Sequence, residues 1–203
     1  MTQTDLDTLL PRLQQGDRAA FESLVKRLHN NLINIALSML AHGEAEEAVQ
    51  DAWLSVYRNI GGFEGRSALK TWITRIVINE CRMRLRKAGR EINLDTDAEG
   101  PDALANRFQD NGHWQQAPVA WNNFHSPEQI LEETDLRECM EKNLVRMPPQ
   151  QRLMIELRDI QGLPFDDICN MLDISASNAR VLLHRARTLI FGVVEHYQET
   201  GEC

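Results

Sequence analysis

The chain has 203 residues, 42% of them hydrophobic, and a formal net charge of −8. This length allows one domain or two small ones, with enough apolar material for packed cores. No stretch approaches the roughly 20 apolar residues a membrane span needs, and the start MTQTDLDTLLPRLQQGD lacks the basic-then-apolar pattern of a signal peptide.

Aromatics are few and long Val/Ile/Thr alternations are absent, so helical periodicity dominates and predicts an all-α fold. Residues 5–13 read as a short amphipathic start, and Gly16-Asp17 opens a helix. Its apolar stripe runs through Phe21, Leu24, Val25 and Leu28 to Leu32, Ile35, Ala36, Met39 and Leu40. His42-Gly43 is expected to break that run. The next helix, residues 44–60, has an acidic first turn, which suits the positive end of a helix dipole. Ala48, Ala52, Leu54, Val56 and Ile60 are expected to pack, with Glu47, Gln50, Asp51 and Arg58 polar. The glycine-rich loop around Gly61-Gly62-Phe63 lacks the GxxxxGK[ST] pattern of a phosphate cradle. A third long helix follows over residues 68–88, apolar at Leu69, Trp72, Ile73, Ile76 and Val77 and basic at its end.

Residues 91–126 have the composition of a linker, rich in Gly, Pro, Asn and Asp. Trp114, Trp121 and Phe124 sit inside it, and aromatics in a polar tether dock either onto the parent domains or onto a partner. A helix is expected from Pro127 to about Arg146, with Leu131, Leu136, Met140 and Leu144 inward, and Met147-Pro148-Pro149 breaks it. Another helix is expected over residues 151–159.

The last third, LPFDDICNMLDISASNARVLLHRAR, reads as a helix-turn-helix. Phe165, Ile168 and Leu172 form the buried stripe of its first helix; Asp173-Ile174-Ser175 turns the chain. Ser175 or Ser177 caps the second helix by accepting a bond from an orphan N–H. Ala179, Leu182, Leu183, Ala186 and Ile190 face inward, leaving Ser177, Asn178, Arg180, His184, Arg185 and Arg187 on or near the other side. Either that side is a solvated basic face or it enters a DNA major groove, where Arg and Asn pair with base edges and phosphates.

The negative sum conceals a segregated charge pattern. Residues 58–90 carry nine Lys and Arg against Glu64 and Glu80; residues 91–141 are acidic, with Arg107 and Arg137 the only bases. The four cysteines, Cys81, Cys139, Cys169 and Cys203, form no CxxC pair, which argues for reduced thiols and against a disulfide framework. His196 and Cys203 sit in the terminal segment, and a frayed tail is favoured there over a zinc site. No cofactor, metal site or catalytic constellation is read: HExxH, GxSxG, P-loop and Rossmann patterns are missing.

Two helical modules, each ending in a basic helix and joined by an acidic tether, resemble bacterial sigma factors. Residues 144–187, LVRMPPQQRLMIELRDIQGLPFDDICNMLDISASNARVLLHRAR, resemble their fourth region, and residues 44–86, EAEEAVQDAWLSVYRNIGGFEGRSALKTWITRIVINECRMRLR, their second. Nothing resembles the third region, so the chain looks like the extracytoplasmic-function class of the sigma-70 family. The resemblance implies two small helical domains: 1–91 for core polymerase and the −10 element, an acidic linker at 92–127, and 128–203 for the −35 element. It implies core RNA polymerase as partner through its clamp and flap, with Glu47, Gln50, Asp51 and Leu54 facing the clamp of the largest subunit. It further implies −10 capture by Phe63, Arg66, Lys70, Trp72, Asn79, Arg82 and Arg86, Trp72 being either a stacking platform or core. For −35 recognition it implies Ser177, Asn178, Arg180, His184, Arg185 and Arg187, with Arg180 and Arg185 nearest the bases and Arg187 on phosphate. Val181 and Leu182 depart from the polar pair common in relatives. Asp95, Asp97, Glu99 and Asp102 would imitate nucleic acid along the polymerase. Implied as well are a cytoplasmic location, an anti-sigma partner that is often membrane-linked, and no catalysis by the chain itself. The competing reading is a stand-alone helix-turn-helix regulator, which needs a sensor domain where this chain shows helical periodicity.

Overall fold

A computed structural model describes Leu6, residues 8–92, Leu94 and residues 134–203. The acids Asp95, Asp97, Glu99 and Asp102, the aromatics Trp114, Trp121 and Phe124, and the helix start at Pro127 lie outside the described residues. All regular elements among the described residues are helical, and the chain divides into two compact units, Met1–Ile92 and Asn93–Cys203.

The first unit holds α1 (Leu10–Gln14), α2 (Arg18–Leu37), α3 (His42–Asn59), a 3-10 turn (Ile60–Gly62) and α4 (Leu69–Lys87). Asp17 caps α2: its carboxylate accepts from the N–H groups of Ala19 and Ala20 at 2.9 and 3.2 Å. The Ala20 N–H and the Arg12 side chain hold that carboxyl below its usual range. Leu24, Leu28, Leu32 and Ile35 of α2 meet Ala45, Ala48, Val49, Ala52 and Val56 of α3 and Leu69, Ile73, Val77 and Ile78 of α4. The alanines of α3 let its axis approach both neighbours, and each large aliphatic side chain so buried contributes on the order of 2 kcal/mol.

Two sequence expectations change here. His42-Gly43 does not break the chain; it begins α3, because a glycine in a first turn forfeits no interior packing. Leu54 does not pack inward but is 53% exposed, its neighbours in the core being Ala52, Trp53 and Val56.

The second unit holds α5 (Thr134–Arg146), α6 (Pro149–Ile155), a π turn (Glu156–Ile160), α7 (Phe165–Leu172) and α8 (Ala176–Thr200). Pro149 occupies the first turn of α6, where its missing N–H costs nothing. The expected single helix over 151–159 instead widens into the π turn, closed by Gln161 N–H on the Glu156 carbonyl at 2.8 Å. The Glu156 carboxylate is buried there and accepts from Gln161 Nε2 at 2.8 Å. Leu136, Leu153, Met154, Leu157, Ile168, Leu182, Leu183 and Ala186 form the core.

The expectation of four unpaired thiols is corrected. Cys139 of α5 and Cys203 are disulfide-bonded, with Cα atoms 5.3 Å apart, while Cys81 and Cys169 are unbonded. Gly201 takes a left-handed conformation (φ 70°) that ends α8 and turns the tail back toward α5. The frayed tail expected at Cys203 is thus anchored. Among the described residues no cluster of His, Cys, Asp or Glu can hold a metal ion, and no helix is long and apolar enough to cross a membrane.

Candidate functional site

In the first unit the outward face of α3 presents Glu47, Gln50, Asp51 and Leu54, all exposed, at spacings of three and four that align them along one stripe. Arg84 of α4 forks across two of them. Its Nη1 donates to Glu47 Oε2 at 3.0 Å and its Nη2 pairs with Asp51 Oδ2. The Arg84 side chain is 21% exposed, so it stiffens the acidic face from below. Tyr57 continues the stripe one turn on, 56% exposed, its ring edge-on to Phe21 at 5.1 Å. Sequence reasoning missed Tyr57, although its i+3 spacing from Leu54 was a usable signal. The result is an acidic patch around an apolar centre, suited to docking a basic helical surface.

The loop and α4 form a second, basic surface of this unit. Phe63, expected among the residues of −10 capture, is closed in by its neighbours. It is 9% exposed, its ring lies 5.1 Å from that of Trp72, and its carbonyl accepts from Gln14 Nε2 at 2.9 Å. Phe63 is therefore the floor on which the half-buried Trp72 rests. Asn79 and Arg86 are exposed, while Lys70 and Arg82 are half-buried. Arg66 is exposed and paired with Glu64. Arg75 is exposed between Trp72 and Asn79, at i+3 from one and i−4 from the other, and belongs to this stripe although it was not singled out. An aromatic face flanked by cations along one helix can stack a base and hold its phosphates.

In the second unit, Ser175 rather than Ser177 caps α8, its hydroxyl accepting from Asn178 N–H at 3.1 Å. The preceding Asp173 takes a left-handed conformation (φ 58°), which Asp tolerates better than most residues. This capped turn aims the first half of α8 outward. Ser177 and Arg180 are exposed; Asn178, Val181, His184 and Arg185 are half-buried. The Arg180 guanidinium lies 5.7 Å over the Phe165 ring, a cation–π contact that limits its swing. Asn178 Nδ2 donates to the Leu94 carbonyl at 2.5 Å.

Arg187 departs from expectation. It was placed on the DNA side as a phosphate clamp, but it is 9% exposed and bound to Asp159 of the π turn through two hydrogen bonds, 2.6 and 2.8 Å. The helix rotates about 100° per residue, so two residues beyond Arg185 the side chain points back toward the turn. The outward cations of α8 are then Arg180 and Arg185 with the half-buried His184 between them.

Comparison with known proteins gives two family matches: "Sigma-70 region 2" over residues 24–91 and "Sigma-70, region 4" over residues 137–190, together more than half of the chain. The RNA polymerase sigma-H factor of Pseudomonas aeruginosa is 28% identical over 191 residues, 94% of each chain. The ECF RNA polymerase sigma-E factor of Escherichia coli K12 is 29% identical over 188 residues, 92% of this chain and 93% of that one. Among solved structures, the sigma factor RpoE in complex with the anti-sigma factor NepR from Bartonella quintana aligns over 86% of this chain and 96% of its own, with TM-score 0.56 and 23% identity. CnrH in complex with the cytosolic domain of CnrY aligns over 93% and 96%, with TM-score 0.52 and 17% identity. At these identities the structural matches establish a shared fold.

Proposed function

This chain belongs to the sigma-70 family as an extracytoplasmic-function sigma factor, and from that premise we propose how its two helical units divide the work. As an alternative sigma factor it binds core RNA polymerase and directs promoter recognition and transcription initiation. The first domain, 1–91, docks the polymerase clamp through Glu47, Gln50, Asp51, Leu54 and Tyr57. The acids steer encounter with a basic surface and the two apolar side chains supply desolvated contact.

The same domain captures the melted −10 strand. Trp72, backed by Phe63, stacks an unpaired base, and Lys70, Arg75, Asn79, Arg82 and Arg86 follow the strand along α4, with Arg66 at the loop. Extruding a base costs a few kcal/mol, which stacking and phosphate contacts offset. The segment 92–127 tethers the domains. The last domain, 128–203, reads the −35 duplex with Ser177, Arg180, His184 and Arg185, phosphate contacts positioning α8 and base-edge contacts specifying sequence. Asn178 orders the turn against Leu94, and Arg187 supports the helix from its inner side.

The chemistry of RNA synthesis belongs to the polymerase; this chain contributes recognition and works in the cytoplasm where polymerase and DNA are. Control by an anti-sigma factor is part of this reading, supported by the structural relative solved in complex with the anti-sigma factor NepR. The observation that carries the promoter-reading role is the exposed Arg180 and half-exposed Arg185 on the helix that Ser175 caps. Run-off transcription with purified core polymerase on a pool of promoter fragments tests it. New transcripts that vanish with Arg180→Ala and Arg185→Ala are expected. No stimulation and no core binding, while the protein alone shifts specific duplexes, would identify a stand-alone regulator instead.

A further inference from the structure

We propose that Cys139 and Cys203 form a reversible dithiol–disulfide couple, exchanged with low-molecular-weight thiols, that fastens the C-terminal tail and the end of α8 to α5. Three observations carry this. First, the pairing is selective. Cys203 is exposed at the chain's end and Cys139 is 1% exposed on α5, yet they are bonded, while Cys81 is sealed in the other unit and Cys169 lies on α7. Burial raises the thiols of both Cys81 and Cys169, which suppresses their thiolates; Cys139 is as buried as Cys81, but its bonded partner Cys203 opens the pair to solvent.

Second, the local backbone brings the tail home. Gly201 reverses the chain after α8, and the Thr200 hydroxyl accepts from Glu202 N–H at 3.1 Å, so Cys203 is presented as part of an ordered turn. Third, the site carries an N–H donor for sulfur. Asn143 Nδ2, fixed on the Cys139 carbonyl at 2.9 Å, lies 3.7 Å from Cys139 Sγ and 3.8 Å from Cys203 Sγ. One amide donor thus reaches both sulfurs of the bond. Beside the bond a groove of about 360 Å³, lined by Asn143, Thr188, Gly192 and His196, is large enough for a tripeptide-sized thiol.

The exchange balances as follows. A small thiolate attacks the exposed Cys203 Sγ, forming a mixed disulfide and expelling the Cys139 thiolate, which takes a proton. A second small thiolate attacks the small-molecule sulfur of that mixed disulfide, releasing the oxidised small disulfide and the Cys203 thiolate, which is protonated in turn. Two electrons pass from two thiols to one protein disulfide, and the reverse steps reform it. When the bond opens, α5 and the tail lose their covalent tie while the rest of the domain keeps its core.

The full-length protein is equilibrated in mixtures of reduced and oxidised glutathione, acid-quenched, alkylated and mapped by peptide mass. One transition is expected, in which the Cys139 and Cys203 alkylation sites disappear together while Cys169 stays alkylated. Cys139→Ser should leave Cys203 carrying a glutathione adduct, and Cys203→Ser should abolish the transition. In hydrogen exchange, α5 and the last turn of α8 should exchange faster after reduction, with the first domain unchanged. Both thiols remaining alkylated in fully oxidised glutathione would overturn the couple. So would a bond that survives fully reduced glutathione, or exchange identical in the two states. The wild-type titration reads these outcomes whether or not the variants fold.

Discussion

Arg187 grips Asp159 with both sides of its guanidinium, Nε on Oδ2 at 2.8 Å and Nη2 on Oδ1 at 2.6 Å. The pair ties the middle of α8 to the π turn that precedes the helix-turn-helix, across 28 positions of sequence. The Arg187 side chain is 9% exposed and that of Asp159 34%, so the arginine has lost its water and depends on this partner. Removing one member of a buried pair costs about 3–5 kcal/mol; with Asp159 partly solvated, about 2–3 kcal/mol is expected. Arg187→Ala should therefore lower the thermal midpoint of the C-terminal domain without changing which promoters are chosen, as read by calorimetry and run-off transcription. A loss of promoter affinity at unchanged stability would return Arg187 to the DNA face.

Arg180→Ala and Arg185→Ala should do the opposite. Both side chains reach solvent from α8 and neither is buried in the core. A bidentate base contact contributes about 1–3 kcal/mol, so roughly 10–100-fold less transcript is expected from each variant. Circular dichroism melts should overlay that of the wild type. Arg185→Lys should restore nonspecific affinity better than sequence preference, because lysine keeps the charge and loses the planar fork.

The acidic stripe of α3 predicts a dependence on charge sign. Glu47→Lys with Asp51→Lys should weaken binding to core polymerase by on the order of a hundredfold at low salt, with the deficit shrinking as salt screens it. Leu54→Ala and Tyr57→Ala should weaken binding about tenfold with little salt dependence, since their contribution is desolvation. Arg84→Ala is expected to lower stability slightly and to loosen the two carboxylates it bridges. Fluorescence anisotropy against labelled protein separates these cases; a salt-independent deficit in the Lys variants would sink the electrostatic account.

Cys81 gives the first domain an alkaline limit. Burial pushes its thiol up to about 12, against an ordinary 9.0. The folded chain thus holds this proton where the unfolded chain has released it. The stabilisation is complete below pH 9 and is lost as pH rises from 9 toward 12. A shift of this kind corresponds to at most about 4 kcal/mol. Urea melts at successive alkaline pH values should fall more steeply for wild type than for Cys81→Ala. Native Cys81 should also resist thiol reagents until the domain unfolds; rapid labelling in the folded state would contradict its burial.

Much of this architecture was legible before folding. The stripe Leu24, Leu28, Leu32 and Ile35, the acidic face Glu47, Gln50 and Asp51, and the Ser175 cap are all local patterns. Each requires only the 100° step of a helix or an orphan N–H a few residues away. The sequence by itself therefore determined the main apolar stripes, placed the start of α8 at one of two serines, and set Arg180 and Arg185 on its outer side.

Only the tertiary structure decided who answers whom across long separations. Asp159 draws Arg187 inward from the outer side of α8, and Phe63 becomes the floor under Trp72. Arg84 leaves the basic stripe of its own helix to bridge Glu47 and Asp51. Cys139 finds Cys203 across 64 positions. In each case the side chain's chemistry permits several partners, and helical spacing constrains only neighbours within a turn or two. The choice is made when helices pack, because packing brings groups distant in sequence within reach and, where it buries them, removes water as an alternative partner.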